Sequence, residues 1–363
     1  MSLWKKFWQI TRSVKLALVL ISVLTATIAS LMFYTKLYNY EVAQAGFRSW
    51  WFLLLSFAFL LNLTSCLAEQ FFRLAGSYNK LGKKTKTRRI GLILFHLGLI
   101  LVVTGSFVTN AYGMSGYIMI GEGETRLENH NDYDVLEEST FFREIMHYNF
   151  ALKLLKQSFL YDQDGTVKDI KAVFQITDGD KTTDINLTTG SSVTYRGIRM
   201  FFYRDGFTPK IFVTKKNGEL IWKSSILIDT IVDNDGRIFY KTDAFSIQDL
   251  PFKIDFTFFP DLNQKNSRSN KLTNPALQVI VRQENKILAQ KVIKPNEPLV
   301  FADYKLFFND IKRWTGIKLV RNPGEKLVYG GYLIALLGLL LAHSLQLFTY
   351  IRNRSIEAVD TGR

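Results

Sequence analysis

The chain has 363 residues, 47% of them hydrophobic, a formal net charge of +14 and a single cysteine, Cys66. One cysteine excludes a disulfide framework within the chain. Without any Cys-x-x-Cys, the protein is neither a thiol oxidoreductase nor itself a c-type cytochrome. A basic balance of this size invites a nucleic-acid reading, but its distribution along the chain points to a membrane instead.

In chain order, Lys5, Lys6, Arg12 and Lys15 precede an uncharged run, Leu16–Phe33, read as a retained anchor rather than a cleaved signal. A second uncharged run is Trp50–Ala68. After it comes a basic loop, residues 70–89, with Arg73, Lys80, Lys83, Lys84, Lys86, Arg88 and Arg89. A third run is Ile90–Tyr112 and a fourth is Leu327–Ile351, closed by a tail, 352–363, that carries Arg352, Arg354 and Arg363. About 20 apolar residues at ~1.5 Å rise each cross a bilayer, so the sequence predicts four transmembrane helices. The N-terminus, the 70–89 loop and the tail hold most of the basic excess. By the positive-inside rule they are expected in the cytoplasm, with both termini inside. Tyr34–Ser49 and the polar stretch Gly113–Lys326 are then expected outside, in the periplasm of a bacterial inner (plasma) membrane. The basic clusters are read as facing anionic lipid, with no nucleic acid as a partner.

Between Gly113 and Lys326 the pattern changes to short alternating runs divided by Asp178-Gly179, Asn217-Gly218 and Asp235-Gly236. Such pairs favour the turns that match strand twist, so this region is expected to be a large, mainly β domain between helices three and four. Glu137–Lys156 is the stretch where a short helix is expected. Leu187–Gly218 and Ile293–Gly324 align without a gap at a spacing of 106 residues, setting Tyr195 on Phe301, Phe201-Phe202 on Phe307-Phe308 and Ile211 on Ile317. Phe150–Leu154 similarly resembles Phe252–Phe256. The domain is read as two related β units, about 145–222 and 250–324. No catalytic set stands out in it. His130 and His147 look too isolated for a zinc site, and Gly121–Glu124 lacks the strand–helix setting of a phosphate loop.

The predicted spans contain no Asp, Glu, Lys or Arg, but they hold two of the four histidines, His96 and His343. Polar groups are costly in a bilayer, so these residues are the functional candidates. Counted from the ends of their apolar runs, both sit ~9–12 Å from the cytoplasmic boundary. Neutral imidazole is a standard axial ligand of haem iron, and two histidines at one depth suit such a role.

The order of parts resembles the ResB (CcsB) family of system II cytochrome c biogenesis. The second run, WWFLLLSFAFLLNLTSCLAEQFFR, is similar to that family's aromatic start followed by an Asn (Asn62) and a Cys (Cys66). LILFHLGLILVVTGSF resembles its His-Leu-x-Leu-x-Leu run, from His96 to Gly105. GYIMIGEGET resembles its strand after the third helix, and GIKLVRNPGEKLVYGGYLIALLGLLL its last helix, with Pro323-Gly324 and Gly331. The resemblance implies a haem-handling subunit of a cytochrome c synthetase, with haem b as transient cargo, His96 as the matching histidine and no catalytic residue in this chain. It implies a ResC/CcsA-type haem-attachment protein and apocytochrome c as partners. That partner type carries the tryptophan-rich haem segment, which this chain lacks. The family's further histidine lies nearer the end of the last helix, and His343 does not fall at that spacing from Pro323-Gly324. Two other readings stand beside this one: a membrane electron-transfer subunit with b-type haem, and an anchor that displays a β domain for protein contacts.

Overall fold

The computed structural model describes residues 3–37, 45–163, 167–232, 238–242, 245–247, 250–264, 270–284 and 286–360. These divide into two compact units. One comprises residues 1–114, 138–142 and 321–363; the other comprises residues 115–137 and 143–320.

The first unit is helical. Helix α1 covers Leu3–Thr11, α2 Val14–Leu37, α3 Trp50–Ser77, α4 Lys83–Tyr112 and α5 Glu325–Asp360. Four of them, α2 to α5, are long and apolar enough to cross a membrane. Each runs past its uncharged core, because nothing obliges a helix to stop where hydrocarbon ends. The basic 70–89 loop is therefore mostly helix, broken only around a 3-10 turn at Tyr78–Lys80. α1 was not foreseen. It is amphipathic, with Lys5 and Lys6 beside exposed Phe7 and Ile10, a composition suited to lying along a membrane surface.

The break between α1 and α2 is held by one stripe of α3. Asn62, Cys66, Glu69 and Arg73 recur at helical spacing. The Asn62 amide donates to the carbonyls of Thr11 (2.7 Å) and Ser13 (3.2 Å), and the Cys66 thiol to that of Arg12 (3.5 Å). Arg12 pairs with Glu69 at 2.8 Å, and Glu69 with Arg73 at 2.9 Å. The helix break leaves the Thr11 carbonyl to the buried Asn62 amide, while the Ser13 carbonyl also accepts from the Ala17 amide at 3.0 Å. Asn62→Leu should therefore remove the donor of the Thr11 carbonyl and cost about 1–3 kcal/mol. The readout is a lower melting temperature in detergent and faster proteolysis at residues 11–13; an unchanged melt would remove Asn62 from this role.

α4 and α5 pack antiparallel along a seam of glycines. Gly91, Gly98 and Gly105 face α5, and Gly324, Gly331 and Gly338 face α4, each set at seven-residue spacing. A Cβ at Gly91 would lie 2.5 Å from the Ala342 nitrogen, one at Gly98 2.6 Å from the Gly331 oxygen, and one at Gly105 2.6 Å from the Gly324 oxygen. Small residues let helix backbones approach this closely in a membrane, where contact relies on van der Waals packing and weak Cα–H···O bonds.

The second unit is antiparallel β. Its first half has β1 (Met114–Gly121), β2 (Thr125–Leu127), β3 (Val135–Glu138), β4 (Ala151–Tyr161), β5 (Val167–Asp178), β6 (Lys181–Thr188), β7 (Ser192–Tyr195), β8 (Ile198–Lys215) and β9 (Leu220–Ser225). The second has β10 (Ile228–Val232), β11 (Ile238–Lys241), β12 (Phe245–Ser246), β13 (Lys253–Phe259), β14 (Ala276–Gln283), β15 (Lys286–Ile293), β16 (Leu299–Phe301) and β17 (Tyr304–Arg321). The large sheet runs β15-β14-β13-β11-β10-β8-β17-β1-β3; a second sheet runs β2-β4-β5-β6. The Asp178-Gly179 and Asn217-Gly218 turns join paired strands as expected. β10 and β11 also pair, while the Asp235-Gly236 turn between them lies outside the described residues. In the 137–156 stretch, only Glu144–Met146 forms a 3-10 turn before β4 begins.

The two aligned segments take up the same structure in the same register. β7 pairs with β8 through Tyr195↔Ile198 and Val193↔Met200; β16 pairs with β17 through Phe301↔Tyr304 and Leu299↔Leu306. β8 and β17 each have 18 residues. Arg196 and Ala302 occupy the same turn position, both with positive φ (48° and 45°). Upstream, Leu154 pairs with Phe174 in β4–β5, and Phe256 with Val279 in β13–β14. The aligned pairs Ile211/Ile317, Val213/Leu319 and Leu187/Ile293 are all fully buried. Alternate burial along each strand builds a core around Phe207, Phe256, Phe258 and Phe308, each worth roughly 1.5–3 kcal/mol of transfer free energy.

One polar cluster interrupts that apolar interior. Asp205 of β8 is buried beside Arg313 of β17, Tyr161, Tyr240 and Gln157. The guanidinium of Arg313 lies over the rings of Phe159 (4.0 Å) and Phe207 (4.5 Å) and donates to the Asn270 carbonyl at 2.7 Å. Burial pushes the Asp205 carboxyl up to about 6, with Arg313 opposing the shift. A carboxyl raised on folding destabilises the folded state while it is ionised and ceases to do so as it protonates. Stability should therefore rise as pH falls from about 6 towards 4, by up to roughly 3 kcal/mol. Denaturant melts at stepped pH would show this rise in the wild type and lose it in Asp205→Asn; a flat wild-type profile would contradict it.

Candidate functional site

His96 lies on α4, two residues from Gly98, and at 100° per residue it points away from the glycine seam. Its Nδ1 lies 2.7 Å from the Leu92 carbonyl. A carbonyl only accepts, so the proton sits on Nδ1 and the Nε2 lone pair faces outward. Nε2 makes no hydrogen bond among the described residues, and the ring is half-buried, edge-on to Phe95 at 5.6 Å. The same α4 stripe continues through Leu99 and Val103 into the wall of an open pocket of about 490 Å³, lined also by Leu24 and Ile28 of α2, Phe52 and Phe59 of α3 and, at its polar points, Ser56, Ser106 and Asn110. No acidic or basic side chain lines that pocket.

His343 shows the same local chemistry, with Nδ1 3.1 Å from the Leu339 carbonyl, but its ring is exposed. The two histidines are not at one depth. The seam sets Gly91 against Gly338 and Ala342, and Gly98 against Gly331 and Ala335. That register places His96 level with Ala335 and His343 level with Arg88. Eight residues separate the two levels, about 12 Å along the helices. Counting inward from the ends of the apolar runs misplaced them, because α5 continues as helix to Asp360 and the end of its apolar run marks no boundary. The structure does not bring His96 and His343 together around one iron, for which two axial nitrogens stand on the order of 4 Å apart.

The other two histidines are not isolated. In the β unit, ring nitrogens of His130 and His147 lie within 4.8 Å of one another. Beside them Glu128, fully buried, accepts from His147 Nδ1 (2.6 Å), the Tyr133 hydroxyl (3.0 Å) and the Tyr148 amide (2.6 Å). Their separation of 17 residues carries no ligand-spacing signal; only the path of the chain around Glu128 joins them.

The sequence motifs find local explanations. Asn62 and Cys66 serve the α1–α2 break. The GYIMIGEGET stretch is β1, a turn and the start of β2, with Gly123 at φ +86° and the Glu124 carboxylate accepting from the Gly121 amide at 3.1 Å. Pro323 ends β17 and Gly324 begins the glycine seam.

Comparison with known proteins places these features in a family. A search of the curated proteins finds no match. Among solved structures, the cytochrome c heme lyase CcmF aligns over 89% of this chain at 10% identity with a TM-score of 0.31, and the chain spans about a third (34%) of that protein. The model of the ResB-like family matches residues 74–347, from the end of α3 through the β unit into α5. The protein is a membrane protein with four apolar helices and an inserted β domain, and it belongs to the ResB-like family of cytochrome c biogenesis.

Proposed function

We propose that this chain is the haem-handling subunit of a system II cytochrome c synthetase, taking haem as cargo at His96 on its way to the outer face. The observation that carries the reading is His96 itself. It is a histidine within an apolar helix whose Nδ1 is engaged by its own backbone and whose Nε2 makes no hydrogen bond among the described residues. An unpaired ring nitrogen in hydrocarbon is costly, and an iron–imidazole bond offsets that cost. Haem is a flat, mostly apolar ligand, and the largely apolar pocket on the same α4 stripe suits its body. The second axial ligand comes from a ResC/CcsA-type partner, since His343 is about 12 Å away along the helices. Thioether formation belongs to that partner as well, since that partner type carries the tryptophan-rich haem segment which this chain lacks. The basic excess of the N-terminus, the 70–89 loop and the tail supports a cytoplasmic position for them and a periplasmic position for residues 113–326, where apocytochrome c is met.

The test is co-purification. Isolated with its partner from membranes, the complex should carry haem b with a Soret band at substoichiometric to equimolar amount, and the chain expressed alone should mature no reporter cytochrome c. A complex without haem, or maturation by this chain alone, would overturn the division of labour. A quinol-reducible haem at full occupancy would favour the electron-transfer reading instead.

A further inference from the structure

We propose that His130 and His147 form a site for a divalent transition-metal ion on the β unit, separate from the membrane histidines. Three observations carry it. Ring nitrogens of the two histidines lie within 4.8 Å, and the rings stand edge-to-face at 6.3 Å. His147 is buried and its Nδ1 is held at 2.6 Å by Glu128, which is fully buried and braced by Tyr133 and the Tyr148 amide. A carboxylate on one ring nitrogen is the usual outer support of a metal-ligating histidine: it fixes the ring and raises the basicity of the other nitrogen. His130 is exposed, so an ion can arrive from solvent and the ring can move to meet it.

The donor set selects the ion. Two imidazoles suit Zn²⁺, Cu²⁺ or Ni²⁺, whereas Ca²⁺ and Mg²⁺ require oxygen ligands. With metal–nitrogen bonds of about 2.0–2.1 Å in tetrahedral geometry, the two nitrogens stand roughly 3.4 Å apart, so His130 moves by at most about 1.4 Å on binding.

The experiment uses the full-length chain in detergent, free of tag histidines, stripped with chelator and titrated with Zn²⁺ by calorimetry. One ion per chain is expected. His130→Gln, an exposed change compatible with folding, should weaken binding at least tenfold. Glu128→Gln, with its fold verified by circular dichroism, should weaken it by about 10–100-fold. His96→Ala and His343→Ala should bind as the wild type does, which keeps the result independent of the haem reading. Absence of saturable one-to-one binding by the wild type, or a His130→Gln chain that binds equally well, overturns the site.

Discussion

A chain carrying His96→Ala should accumulate in the membrane at normal levels, hold at least tenfold less haem with its partner and mature no detectable cytochrome c. The ring contributes little to packing: it is half-buried, lies off the α4–α5 seam and, among the described residues, hydrogen-bonds only its own helix backbone. Its removal therefore subtracts a ligand without opening a core cavity. The α4–α5 contact, which holds the helix pair, does not involve it. Loss of one axial bond should fall directly on haem occupancy, read as the Soret absorbance per protein. His96→Cys should retain part of it, since thiolate also ligates iron, and imidazole added to His96→Gly should restore part of it. If His96→Ala keeps full haem and full maturation, the residue is only a packed helix position and the haem assignment is wrong.

The second large effect concerns folding. Gly98→Leu should destabilise the helical unit by several kcal/mol and sharply reduce the amount of intact protein. Any Cβ at Gly98 meets the backbone of Gly331 and Ala335, and backbone cannot rotate aside as a side chain can. The helices must separate, and the close contacts along the seam are lost together. Gly330→Leu is the matched control: it adds the same side chain on α5, one residue before the seam residue Gly331, where nothing lies within 4 Å. Thermal melts of the two variants in the same detergent should differ by tens of degrees or by the failure of Gly98→Leu to accumulate. Equal stability would show that the seam tolerates a side chain.

The membrane helices were legible because hydrocarbon demands long uncharged runs, and nothing else in a sequence looks like them. The twin strands β8 and β17 were legible for a similar reason. Alternating burial copies itself into alternating sequence, so Ile211 and Ile317 lie alike in both. The glycine seam is present in the sequence, but glycines within an apolar run carry no polarity signal that sets them apart. Its signal is the absence of side chains at 91, 98 and 105 and again at 324, 331 and 338. The relative depth of His96 and His343 was misjudged because depth is set by interhelical register, which apolar run length does not encode. The Glu128–His130–His147 group was illegible for a stricter reason. Its members are joined by the turn after β2 and the 3-10 turn before β4, and no periodicity links such segments. The nine residues of α1 are too few to leave a hydropathy signal, although Lys5, Lys6 and their apolar neighbours do alternate at helical spacing.

The pairing of Gly105 with Gly324 has a consequence for how the protein is made. α4 emerges from the ribosome with a groove cut for a helix that does not yet exist, and the whole β domain is synthesised before the matching segment appears. At about 5–20 residues per second, that interval is roughly 10–40 s. Throughout it, α4 sits in the bilayer with its backbone exposed along one side, open to mispairing or to recognition by membrane quality control. Closure of the α4–α5 clasp thus reports that α5 has been translated and inserted. A chain truncated anywhere before it would display the bare glycine face as a mark of incompleteness.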